Sequence, residues 1–251
     1  MNTSTIEAEW GMVLWILPLC LQPLIALAMV LRGLIGSFPI FFVYTLFVSA
    51  RDFVLLFVQH NRNIYSWIYF LAEPLAIVLG VAVVYEVLWQ FVRPYEPVRA
   101  LGARLFWGSL AIAGLAGLLM LRTSEYGQRN LWIESLVLLE RSARFVQVGV
   151  LIVFIFFISQ LGLTWKHYAV GIVAGFGVAA GLQLVLFELR SAHAIPSGTF
   201  KLLDSMAYNI AVLIWATYFL SPRIETTSPR ATLPQSDLPR WDEILRRYLR
   251  R

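Results

Sequence analysis

Charge is what this sequence has least of: of 251 residues only 14% are Asp, Glu, Lys or Arg, while 59% are hydrophobic and the mean hydropathy is +0.71. A water-soluble domain of this length cannot bury that much apolar surface, so composition excludes the soluble class and points to a bilayer. Cysteine is nearly absent, with Cys20 alone. That excludes an intrachain disulfide and any metal site built on several thiolates. Leu17, Pro18 and Leu19 before it include no small residue of the kind that precedes a lipid-modified cysteine, so Cys20 reads as apolar packing. The three histidines, His60, His167 and His193, fall at the ends of different apolar runs, which argues against a histidine metal site or a haem between helices. The last apolar run has no lysine in its middle, where a retinal Schiff base would need one. There is no G-x-S-x-G elbow, H-E-x-x-H helix or phosphate-cradling glycine loop. No cofactor, metal site or catalytic residue is expected, and nothing selects a reaction for an enzyme reading.

Lysine and arginine are also missing from the first ten residues, which carry Glu7 and Glu9. Without a positive start, the first apolar run is expected to be a retained helix and not a cleaved signal. Seven apolar runs follow one another, over 10–31, 35–59, 64–92, 104–121, 131–160, 167–189 and 201–221. Each reaches the roughly 20 residues a crossing needs, and the runs are continuously apolar, without the alternation of a β-barrel. The expected fold class is an all-α membrane protein, a seven-transmembrane helix bundle, with little room left for a soluble domain.

The net charge is +5 and the isoelectric point near 9.6, but loop arginines explain this bias without a nucleic acid. Arg32, then Arg93, Arg99 and Arg104, then Lys166, then the arginine-rich tail fall on one side of the seven crossings. That side is expected to face the cytoplasm, with the N-terminus outside, in a bacterial inner membrane. From residue 222 to 239 the chain turns to Thr, Ser, Pro and Arg and reads as a flexible linker. It leads to a last short helix, 240–251, where Trp241, Ile244, Leu245, Tyr248 and Leu249 recur at helical spacing with Arg246 and Arg247 beside them. Such a basic amphipathic helix lies on the anionic leaflet, or docks on a cytoplasmic or membrane protein partner.

An ionisable group at the centre of a bilayer costs about 2.5–3.5 kcal/mol even on lenient scales, so each one needs a partner or a purpose. Arg51 and Asp52 lie about eight residues, roughly 12 Å, from the outer end of the second run, and Glu73 sits at a similar depth on the third. Glu140, Arg141 and Arg144 repeat the pattern on the fifth run, with Glu140 and Arg144 on one face. Gln183, Asp204 and Asn209 share that outer half on the sixth and seventh runs, while Glu86 is nearly alone in the inner half. Three arginines thus face three acids, Asp52, Glu73 and Glu140, on three helices. Two readings stand: a network that fixes helix register, or the floor of a polar cavity open to the outside, where a ligand exchanges partners with these charges. Pro74 directly after Glu73 suits a kinked cavity wall, and Tyr69 one turn earlier is placed to hold the Glu73 carboxylate.

Gly171, Gly175, Gly177 and Gly181 give the sixth run a small face for close helix approach. It is expected to pack within the chain, with a homodimer as the alternative.

Glu73-Pro74-Leu75, Val84-Tyr85-Glu86-Val87, Arg93-Pro94-Tyr95, Arg99-Ala100-Leu101-Gly102 and Trp241-Asp242-Glu243 make the chain similar to a group of bacterial seven-helix membrane proteins with no assigned activity. The resemblance implies topology and no mechanism, and it draws attention to Glu86, seven residues before Arg93 and so on nearly the same side. The functional expectation is a receptor-like or sensor-like protein whose output passes through a separate partner. A structural or assembly subunit and a small-molecule transporter are the alternatives.

Overall fold

A computed structural model describes residues 3–92, 168–191 and 195–221, together with Gly108, 143–145, 147–149 and Ile152. The described chain is helical, without strands: α1 (Thr3–Leu31), a single 3-10 turn (Leu34–Gly36), α2 (Pro39–Val58), α3 (Arg62–Val92), α4 (Tyr168–Ser191) and α5 (Ser197–Leu220). These are the first, second, third, sixth and seventh apolar runs. Five spans within them, Val13–Leu31, Pro39–Val58, Asn63–Gln90, Tyr168–Arg190 and Gly198–Leu220, are long and apolar enough to cross a membrane. Their outward faces carry large apolar side chains such as Leu27, Leu46, Phe57, Leu71, Val185 and Leu213, which suit lipid and not water. The protein is therefore a multi-pass membrane protein. The fourth run, most of the fifth, the linker and the tail with Trp241, Ile244, Leu245, Arg246, Arg247, Tyr248 and Leu249 lie outside the described residues.

The five helices close a circuit: α1 packs on α2 and α5, α3 on α2 and α4, and α4 on α5. α1 ends where Gly33 takes a left-handed backbone, φ +66°, a conformation a side chain would strain. The chain then makes its 3-10 turn, and α2 starts at Pro39, whose missing N–H is no loss in the first turn.

Phe38 before it has no side chain to cap the helix. The cap comes from another helix: the N–H groups of Ile40 and Phe41 donate to the two carboxylate oxygens of Glu86 on α3, at 2.8 and 3.0 Å. A carboxylate against a positive helix terminus satisfies orphan donors and the dipole together. Glu86 is thus occupied by α2, and the Arg93 suggested as its partner lies outside the described residues. At the same end of the bundle, Arg32 donates to the Tyr168 hydroxyl at 2.9 Å and to the carbonyls of Ser221 at 2.9 Å and Leu220 at 3.4 Å, covering the C-terminus of α5.

The core of this end is aromatic. Phe41 meets Phe219 at 5.3 Å and Trp215 at 5.4 Å between ring centroids, Phe176 meets Trp215 at 4.8 Å, and Tyr168 meets Phe219 at 5.1 Å. Room for these rings comes from the small face of α4. The Tyr218 ring lies against Gly171 and the Trp215 ring against Gly175, with the Trp215 indole N–H donating to the Ile172 carbonyl at 3.2 Å. These two positions are filled from within the chain, as the packing reading has it. A side chain at Gly181 would meet nothing within 4 Å.

Gly175→Ala forces a methyl group into the buried Trp215 ring and is expected to lower stability by about 1–3 kcal/mol, whereas Gly181→Ala is expected to leave it unchanged or slightly raised. Thermal unfolding of the two variants in the same detergent checks the contrast, and equal behaviour of the two would contradict the α4–α5 packing.

Candidate functional site

Toward the opposite end, where α1, α3 and α5 begin and α2 and α4 finish, the helices part around a cavity of about 300 Å³. That is near the lower limit for small-molecule sites. Its most polar wall joins α2 to α3. The Arg51 guanidinium donates from Nε to Asp52 Oδ1 at 2.9 Å and from Nη1 to Glu73 Oε2 at 2.8 Å, with Nη2 also 2.9 Å from Asp52 Oδ1. All three side chains are less than a fifth exposed. In such a site the pairs are weakly screened, and the forked guanidinium is suited to holding two acids at once.

The α4–α5 wall is built from amides. Gln183 donates from Nε2 to Asp204 Oδ1 at 2.9 Å, tying the two helices together. Asn209 donates from Nδ2 to the carbonyl of Ser205 at 2.7 Å, one turn back on its own helix, and to the carbonyl of Leu14 on α1 at 2.9 Å. The second bond has a definite cause. Leu14 lies four residues before Pro18, which has no N–H to give it, so the carbonyl that the proline frees is taken up by α5. A third connection runs beside it, where buried Gln22 donates to the Tyr208 hydroxyl and accepts from Ser49 Oγ at 3.3 Å.

Toward the core the cavity ends on Tyr44, Phe176 and Trp215, with Tyr44 and Phe176 at 5.2 Å between centroids. Around these rings the described residues form an apolar cluster, with Thr45 and Glu86 as buried polar side chains toward the α2 start. Gly80 on α3 leaves space for Gln147, whose Nε2 would lie 3.3 Å from a Cβ there. The amide orientations of Gln183 and Asn209 are set by the bonds they donate. Their oxygens, with that of Gln147, are buried and accept no hydrogen bond.

The residues singled out by depth in the sequence come together here. Arg51, Asp52, Tyr69 and Glu73 line the cavity from α2 and α3, Arg144 from the fifth run, and Gln183, Asp204 and Asn209 from α4 and α5. Glu140 and Arg141 lie outside the described residues. Sequence reasoning passed over Gln22, Gln147 and Tyr208, although it picked out the amides Gln183 and Asn209 and the phenol Tyr69 near charged positions. The signal was available: a glutamine between two prolines, Pro18 and Pro23, in an otherwise apolar helix is costly unless bonded. Among the described residues no group of three or more His, Cys, Asp or Glu side chains is placed to hold a metal ion.

Replacing Arg51 by Met takes the shared guanidinium from two buried carboxylates and is expected to cost about 3 kcal/mol of stability. Neutralising the acids as well, in Arg51→Met/Asp52→Asn/Glu73→Gln, is expected to restore most of it. Comparing the unfolding midpoints of the single and triple variants in detergent decides the matter, and a triple variant as unstable as the single one would contradict the pairing.

No protein-family model, curated protein or solved structure matches the chain, so its function has to be argued from the cavity itself.

Proposed function

We propose that the chain is a receptor-like binding protein of a bacterial cytoplasmic membrane, holding a small polar molecule in a cavity in the outer half of a seven-helix bundle. The observation that carries this reading is the convergence of charged and amide side chains from α2, α3, α4, α5 and the 143–147 region on one space of about 300 Å³ that ends on aromatic rings. Polar groups in an apolar bundle are costly, and a packing role alone does not require them to surround a void. Arginines on the Arg32 side and in the tail support, by the positive-inside rule, a cavity end that faces outside together with the N-terminus. Output then passes at the cytoplasmic side to a separate protein, for which the basic tail is the proposed contact. The aromatic rings at the core side of the cavity count against a transport path, because the described residues packed around them form an apolar cluster.

One observation favours a second reading, that of an assembly subunit: Arg51 is matched by Asp52 and Glu73 without any ligand, as a network serving packing would be.

The two readings separate by access. Cys20 is the only cysteine, so a Cys20→Ala background carrying Glu73→Cys offers one thiol on the cavity wall. Reaction with a membrane-impermeant maleimide added outside intact cells is expected. Tyr65→Cys, on the same helix but outside the ion pair, covers the case in which the Glu73 variant does not fold. Inertness at both positions in folded protein would overturn the binding reading in favour of the packing one.

A further inference from the structure

We infer that the cavity takes a small protonated amine, an organic ammonium with an apolar or aromatic body. The inference rests on the binding reading above and adds the chemistry of the ligand.

Its first support is charge. The described lining residues include three carboxylates, Asp52, Glu73 and Asp204, against two guanidiniums, Arg51 and Arg144, a difference of −1 among the described residues. Arg51 is already bonded to two of the acids, at 2.8 and 2.9 Å, so an anion competing for it must displace a carboxylate held in the same side chain's fork. A cation has three described carboxylates to approach, and it offsets the negative excess of the described lining.

The second support is hydrogen-bonding capacity. Gln147, Gln183 and Asn209 are 6%, 3% and 4% exposed, all line the cavity, and each has an amide oxygen with no donor. Buried oxygens of this kind rarely go unpaired, and what they lack is N–H or O–H groups. An ammonium brings three donors and no acceptor, which complements these three oxygens; a carboxylate or phosphate brings only further acceptors, which would suit the buried Arg144 Nε and not the amide oxygens.

The third support is the apolar part of the wall. Trp15, Tyr65, Tyr69, Phe176 and Trp215 present rings around the same space, and ring faces attract cations while accommodating an apolar body. A volume of about 300 Å³ also exceeds what a bare metal ion fills.

The test compares three probes of one shape and different charge on the full chain in lipid nanodiscs: 2-phenylethylamine, protonated at pH 7, 3-phenylpropionate and neutral 2-phenylethanol. Saturable stabilisation against heat is expected for the amine, with affinity about tenfold or more above that for the carboxylate, the difference one charged hydrogen bond makes. Asp204→Asn is expected to reduce the amine's affinity by a similar factor. If that variant does not fold, protection of Tyr65→Cys from maleimide by the amine and not by the carboxylate gives the same decision. Equal or tighter binding of the carboxylate or the alcohol would overturn the amine while leaving a binding cavity in place. Binding of none of the three, together with a Tyr65→Cys thiol that maleimide cannot reach, would remove both the amine and the reading beneath it.

Discussion

Arg51 is the group around which the cavity end of this bundle is arranged. A guanidinium cannot lose its charge to escape an apolar setting, so the helices that bury it must bring carboxylates to it. Asp52 comes from its own helix and Glu73 from α3, and this pairing joins α2 to α3 at the level where the other helices also turn polar groups inward. In water such a pair would contribute little. Here the surroundings leave each partner no alternative, and the same requirement governs every other polar contact described.

That requirement is met differently at the two ends of the bundle. At the α5 C-terminus, charges close helix termini: Glu86 caps α2, Arg32 covers the last carbonyls of α5, and packed rings fill the space between. At the other end, charges and amides from different helices are bonded to one another around a space, and three amide oxygens still lack donors. Among the described residues, one end is closed by its own contacts, and the other keeps a space lined by buried amide oxygens without donors.

The apolar runs were legible because a bilayer demands length and hydrophobicity, both of which can be counted; the five described ones are helices. Depth was legible too, since 1.5 Å per residue places Arg51, Glu73, Gln183 and Asp204 at a common level before any contact is known. Which helix neighbours which was not. Gln183 reaching Asp204, and Asn209 reaching Leu14, depend on the closure of α5 on both α4 and α1. Glu86 was read as a partner for Arg93, which lies outside the described residues, and its service to the uncapped start of α2 was not foreseen. The clue lay in Phe38-Pro39, a helix start with no residue able to cap it. Neutral groups were hardest to see, because Gln22, Gln147 and Tyr208 stand out only when their burial is known.

A membrane protein with an unfinished polar cavity among its helices is expected to leave its membrane with that cavity occupied. Native mass spectrometry of the full chain, extracted gently from the membranes in which it is made, tests this most directly. The account predicts a small molecule retained by the wild-type chain and released from Glu73→Gln. A bare chain, or a stoichiometric protein partner with no small molecule, would contradict it.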